Sequence, residues 1–593
     1  MTNYSLADLP YLMQFIEIPP DIYRHIESSF NLYPKETSLL LRYFSFDHYM
    51  DVVILATKFL VDKRIVKDIF ELDFVRTILG HAAHGFFLKY LLYMSGNIKA
   101  LEEIEEYLNS LKTLDGLNFL RIMTMGSDDR IIEIIKKCLI KKSKNIAYIP
   151  YICDYFANIF YSTFRDKIID GILNKSELYS YRMHMIKSLS TSNNPVCVKD
   201  LIYIYKETDD IKMKRAIIEC MQNCLLHEAV DFLLDTIYNN KNTSLDLAFD
   251  ALVQIYNKLT YDEYMNKDCI DKAERERIIN TIRQNKDKLK YVAMDALDKN
   301  KDCRMILASF NLLFSICGIE KDTSILDKNK SIGLDLYDNK LKIFKIITNK
   351  IFKKENVLFM LEYIKTGDAQ MIIEIYKEFP VIEYLRDKLR VFFDENIDKL
   401  FSKMLDVIFI NNMDCLLPYI PYILEHKNIE ITTELRALRI ASLVHKKEFI
   451  EFLESYITEN YINNKREYLL LLLYELNKTK GVEVAKNIIH KISMSEGYEF
   501  IDQPSLFIIL STQNDPSSLA SIFDFMSKEK KDMYYKIIRL FKYLDKENIL
   551  KSLSVVYNNN QNSSKILEIL NKCHMPIKDA TQIDIDHLVL NSE

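Results

Sequence analysis

A chain of 593 residues exceeds what one compact hydrophobic core holds, so it must divide into domains or repeat a smaller unit. Its 49% hydrophobic and 27% charged content is that of an ordinary globular protein, and a net charge of −5, from 79 basic and 84 acidic residues, excludes a global field that draws the chain to nucleic acid. Eleven Gly, 12 Pro and no Trp accompany 37 Tyr, a balance that disfavours sheets, tight hairpins and phosphate-cradling loops and favours long helices joined by short polar turns.

Residues 1–20 contain acids and no basic n-region, so they do not read as a secretory signal. The ten cysteines include no C-x-x-C pair, and no apolar run approaches the length of a membrane span. A reducing, cytoplasmic location is the expectation. Pro20 and Pro34 sit where a first-turn proline is tolerated, ahead of IYRHIESSF and TSLLLRYF. Helices are predicted over 46–60, 63–78, 80–95 and 97–109, spaced irregularly enough for residues 1–110 to be an end cap. From Leu114 they pair, 114–125 with 128–142 and 146–163 with 166–174.

Between Leu178 and Leu259 the chain repeats itself. Shifted by 32 residues, Met185, Ile217 and Phe249 align, as do Leu189, Met221 and Val253. In the intervening segments Val198 meets Val230, Leu201 meets Leu233, Ile202 meets Leu234, and Tyr205 meets Ile237. Ala216 and Ala248 take equivalent places, where a small side chain lets paired helices approach. Ser176, Asn194-Pro195, Asp209 or Asp210, and Thr243-x-x-Asp246 read as helix starts. A period in the thirties with two helical segments per period indicates an α-solenoid. The expected fold is therefore all-α, a superhelical stack of antiparallel helix pairs. One half covers 111–317, and the aperiodic stretch 318–339 is a loop or hinge. A second helical-repeat half covers 340–573, with helices starting near Asn356, Thr433, Lys465, Pro504, Asp515-Pro516, Lys530 and Ser563. The run Leu469–Leu473 fits a buried helix face. Residues 574–593 form a tail in which TQIDIDHLVL alternates briefly in period two.

The block KMKRAIIECMQNCLLHEAVDFLLDTIYNN, followed by SLDLAFDALVQIYNKL, resembles HEAT/armadillo-type repeats. The resemblance covers two to three repeats and implies a HEAT-like binding surface. No repeated Asp/Arg ladder is visible in the sequence. His227-Glu228 resembles the His-Glu pair that HEAT-fold iron hydroxylases carry at the head of several repeats. Here it occurs once, its 32-residue counterparts being Pro195-Val196 and Leu259-Thr260, so it reads as a helix start.

Catalytic patterns are scarce. There is no G-x-G-x-x-G, Walker A loop, G-x-S-x-G, H-E-x-x-H or calcium loop. His81-x-x-His84 lacks a third ligand nearby and reads as packing or a helix end. Cys220 and Cys224 fall on one apolar stripe and read as core. No metal, cofactor or catalytic residue is assigned. The densest charge noted is Lys340–Lys354, with six Lys and no acid; on a helix Lys342, Lys345 and Lys353 lie opposite an apolar face and are candidate contacts for an anionic partner. The functional expectation is a non-enzymatic scaffold that presents a concave helical-repeat surface to a protein or peptide. The alternatives are a nucleic-acid-binding solenoid that uses the Lys340–Lys354 helix, and a HEAT-like enzyme without a recognisable motif.

Overall fold

The structure is a computed structural model. It describes residues 6–13, 22–45, 49–66, 84–110, 115–145, 148–190, 194–239, 244–261, 271–299, 303–317, 354–376, 382–460, 467–494, 504–513 and 515–528, with a few positions between 540 and 552. Among these residues the secondary structure is entirely helical, with no strand. The fold is all-α. The 318–339 loop, the Lys340–Lys354 helix (Lys354 apart), the helix starts at Lys530 and Ser563, and the tail lie outside the described residues. The chain forms two compact units, Met1–Ile135 with His445–Glu593, and Lys136–Val444.

In the second unit the 32-residue period becomes two layers of helices. The helix Tyr179–Ser190 packs on Ile211–Cys220, which packs on Leu245–Tyr261, while Pro195–Glu207 packs on His227–Asn239 and that on Lys272–Gln284. Each helix thus touches its sequence neighbour and the equivalent helix one repeat on, the contact scheme of stacked hairpins. The aligned apolar positions are the seam. Met185, Ile217, Phe249, Leu189, Met221, Val253, Val198, Val230, Leu201 and Leu233 are all at most 2% exposed. Ala216 and Ala248 are buried as well.

Local chemistry sets the helix ends. Asn194 Oδ1 accepts the Val196 N–H at 2.9 Å with Pro195 in the first turn, and Asp210 Oδ1 accepts those of Lys212 and Met213 at 3.0 and 3.2 Å. Ser176 is not a cap: Asn174 Oδ1 accepts its N–H within a turn, and the helix starts at Tyr179. Asp246 is engaged by Arg215 at 3.3 Å, one repeat earlier. The two helices predicted over 146–163 and 166–174 lie within Ile149–Leu173, and the break between them falls a few residues earlier than expected, at Phe160, whose φ of −121° and ψ of 20° leave the helical region. The helices expected near Thr433 and Lys465 begin at Ile431 and Glu467.

Polar rungs join successive repeats. Arg165 donates from Nε and Nη2 to the two oxygens of buried Asp200 at 2.7 and 2.6 Å, and Tyr161 donates to the same carboxylate at 2.7 Å. Arg436 pairs with buried Asp406, and Tyr363 donates to Asp394 at 2.5 Å. Thiols supply further rungs: Cys153, Cys224 and Cys317 donate to the carbonyls of Met185, Ser190 and Lys286, which lie 32, 34 and 31 positions away. The Asp/Arg pairs missing from the sequence pattern are therefore present, at separations of 35, 31 and 30 residues that drift around the repeat length.

The first unit is built from both ends of the chain. Pro34–Phe44 packs on Met50–Asp62 and also on Pro504–Ser511, and Leu9–Leu12 packs on Glu467–Leu476. Tyr474 donates to buried Glu36 at 2.6 Å, Glu475 accepts the Ala7 N–H at 2.9 Å, and the Arg42 guanidinium lies 3.5 Å above the Tyr543 ring. Residues 36 and 474 are 438 positions apart, so these are not the nearest-neighbour contacts of an open array. The Leu469–Leu473 run is buried on all sides of its helix, together with Tyr468 and Tyr474. Gly481 lets the next helix pass, since a Cβ there would lie 2.6 Å from the Tyr474 backbone.

Candidate functional site

The densest constellation of perturbed titratable groups lies in the first unit. Lys58 and Asp62 are one turn apart on Met50–Asp62, so their side chains share a face. Helices carrying Tyr23 and Tyr90 cover that face. Asp62 accepts from Lys58 Nζ at 2.5 Å, from the Tyr23 hydroxyl at 2.5 Å and from the Tyr90 hydroxyl at 2.7 Å. Lys58 is 0% exposed, and its ammonium lies 5.1 and 5.6 Å from the Tyr23 and Tyr90 ring centres. Burial lowers its pKa against the pull of Asp62. Burial and the Asp62 charge push both tyrosines far above their ordinary value.

Beside this cluster opens a pocket of about 390 Å³, lined by Tyr23, Arg24, Glu27, Asp62, Lys63, Met125 and Gly126. Lys63 pairs with Glu27 at 2.5 Å across one side. Gly126 has φ +65°, and a Cβ there would lie 2.2 Å from the Tyr23 ring, so the glycine is what lets the ring sit over the backbone and reach Asp62. Chemically, its amine is closed off. A nucleophilic amine must be reachable by a substrate carbon. Lys58 itself is enclosed, and of the cluster only Tyr23 and Asp62 reach the pocket. These groups tie three helical segments together.

A second group gathers at the head of His227–Asn239. The ligand-capable atoms of His227, Glu228 and Glu274 all lie within 4.8 Å of one another. Glu274 Oε1 accepts both the backbone N–H of His227 at 2.9 Å and its Nδ1 at 2.7 Å. Burial raises the Glu274 carboxyl, and the bonds from His227 outweigh it, leaving the pKa below its ordinary value. The helix thus receives its N-cap from a different helix, Lys272–Gln284. Lys199 lies 3.7 Å from Glu228. The three side chains could hold a metal ion by their geometry, and Glu228 Oε2 is buried without a hydrogen-bond partner among the described residues, while the helix N-terminus and Lys199 set positive charge beside them.

The thiols are similarly committed. The helix ends at Cys220, and Cys224 lies beyond a 3₁₀ turn instead of on the same helical face. Burial pushes the Cys224 thiol up to about 12 and Cys317 up to about 11, far from the thiolate a nucleophile needs. His84 is buried at the start of the helical segment 84–94; His81 lies outside the described residues.

Lys342, Lys345 and Lys353 also lie outside the described residues. Two features escape the sequence reading. Lys58–Asp62 is an ordinary i, i+4 pair in sequence, and only the covering tyrosines reveal its burial. The run Lys136–Lys144 carries five Lys in nine residues with no acid, a denser charge than Lys340–Lys354, and that density was the available signal. Among the described residues no helix is long and apolar enough to cross a membrane. No protein-family model matches the chain, and no curated protein matches it.

Proposed function

We propose that the chain is a HEAT/armadillo-type binding scaffold whose rigid helical layers present a surface to a protein partner. The observation that carries this reading is the use of its polar chemistry as structure: Asp200, Asp406, Glu274 and the thiols of Cys153, Cys224 and Cys317 bond from one helical segment to another, and Asp62, paired with buried Lys58, accepts from tyrosines on two other helical segments. A surface held this way is preorganised, which lowers the ordering cost of binding. Large side chains stand out from it. Val196 and Tyr203 share a face of Pro195–Glu207 at 46% and 47% exposure, and Tyr179 and Ile211, one repeat apart, are 44% and 62% exposed. Exposed aromatic and aliphatic groups on a rigid frame are typical anchors for a protein interface.

Reciprocal affinity capture tests this. A partner bound by the wild type should be lost on Val196→Asp/Tyr203→Asp with the thermal melt unchanged. Repeated captures that yield no partner dependent on this face would overturn it.

A further inference from the structure

From the lysine face at the C-terminal end of Asp129–Lys142 and the turn that follows it, we infer a docking surface for an acidic protein segment carrying an apolar side chain. Lys137, Lys141 and Lys144 are exposed, and Lys136 and Lys142 are half-buried beside them. Among the described residues Lys137, Lys141 and Lys144 carry no ion pair. A sixth cation is drawn in from the next helix, Lys167, whose ammonium donates to Ser143 Oγ at 2.8 Å and to its carbonyl at 3.3 Å. Ile140 stands in the middle of these charges at 42% exposure.

Helix-end stabilisation does not account for the arrangement. The favourable interaction of cations with a helix C-terminus is confined to the last turn, which Lys141 and Lys142 already occupy. Lys137 lies above that turn and Lys144 beyond it. Lys137 and Lys141 are also like charges at i, i+4, a spacing that destabilises an isolated helix. Such a face holds mutual repulsion that a partner's carboxylates would relieve, and this local field opposes the chain's net charge of −5.

The side chains favour a peptide over a nucleic acid. The face offers no Arg fork for phosphate and no exposed aromatic ring on which a base could stack. The nearby Tyr148 has Lys142 6.0 Å from its ring centre. Ile140 instead supplies an apolar anchor ringed by ammonium groups, which matches a leucine or isoleucine flanked by glutamates or aspartates. This inference rests on the binding reading above and names a partner chemistry for it, at a different address on the same unit.

Fluorescence anisotropy of the full chain tests it with a short labelled peptide of glutamates and interspersed leucines, at about 50 and 200 mM salt. Binding should weaken roughly tenfold or more in Lys137→Glu/Lys141→Glu/Lys144→Glu, a variant whose circular dichroism is checked against wild type. Ile140→Ala, which leaves every charge in place, should weaken it several-fold at both salts. No peptide binding at low salt, or indifference to the three lysines, would overturn the inference. So would equal or tighter binding of an oligothymidylate, or of vesicles containing phosphatidylserine, through the same lysines. A captured partner that needs Tyr203 but ignores these lysines would leave the scaffold reading standing and remove this one.

Discussion

Asp62→Asn isolates the buried cluster, because it removes a charge and changes little volume. Lys58 is then a fully enclosed ammonium without a counter-ion, and the two covering tyrosines compete for one remaining carbonyl oxygen. Breaking one partner of a buried ion pair costs about 3–5 kcal/mol. The lysine has one escape, which sets a ceiling on its share. Giving up its proton at pH 7 costs about 3.4 pH units at about 1.36 kcal/mol each, or about 4.6 kcal/mol from the unfolded value. At pH 9 the same escape costs only about 2 kcal/mol. The sign follows from linkage. The folded pKa of Lys58 lies below the unfolded one, so between the two the unfolded chain binds more protons and stability rises with pH. The variant should therefore lose about 4–5 kcal/mol at pH 7 and recover roughly half of it at pH 9. Lys58→Met/Asp62→Leu, which removes both charges, should lie much nearer wild type at either pH. With two compact units a single unfolding free energy is ill-defined. The assay is accordingly hydrogen exchange, read by mass spectrometry on peptides from 50–62 and 84–94, which reports the first unit directly. A penalty below about 1 kcal/mol, or one equal at pH 7 and pH 9, would refute the buried-pair account.

Gly126→Ala should cost about 1–3 kcal/mol from its left-handed backbone alone and more from the collision with Tyr23; in a Tyr23→Ala background most of the collision term should vanish from the thermal melt. Thiol titration of the native chain at pH 8 should leave Cys153, Cys224 and Cys317 unmodified by mass spectrometry, and unfolding should bring the count of modified cysteines to ten. Glu274→Gln should expose His227–Asn239 to faster exchange by about 1 kcal/mol at pH 7, the cost of a lost cap. Because the folded pKa of Glu274 is depressed, its contribution is present above about pH 4.3 and is lost as pH falls through the folded value, so the two proteins should converge in acid.

The architecture was legible because packing positions recur at a fixed distance. Met185, Ile217 and Phe249 must each fill the same site in successive repeats, and substitution among apolar types leaves the period intact. The rungs were not legible, for the opposite reason. Arg165–Asp200 spans 35 residues, Arg215–Asp246 spans 31 and Arg436–Asp406 spans 30, and elsewhere a thiol and a carbonyl do the same work. Side-chain length absorbs the drift, so no single shift aligns them. The kink at Phe160 carries neither Pro nor Gly at the site, so nothing in the sequence marks its position to the residue. The pairing of residues 36 and 474 was equally hidden, since a repeat pattern speaks only of neighbours.

The same distinction governs what can be said of function. A catalytic motif is visible in sequence when its residues are local, and a structural charge is invisible until its cover is known. Lys58–Asp62 shows how the two are told apart. Both a catalytic and a structural pair would display strongly shifted groups. Access favours the structural reading, since Lys58 has no exposed surface and Asp62 is occupied by the lysine and both tyrosines. The lysines at 137, 141 and 144 show the converse, exposed on a helix end and without an ion pair among the described residues. If the proposed binding role holds, the buried polar groups serve the frame, and the exposed lysines without an ion pair among the described residues are where a partner has something to gain.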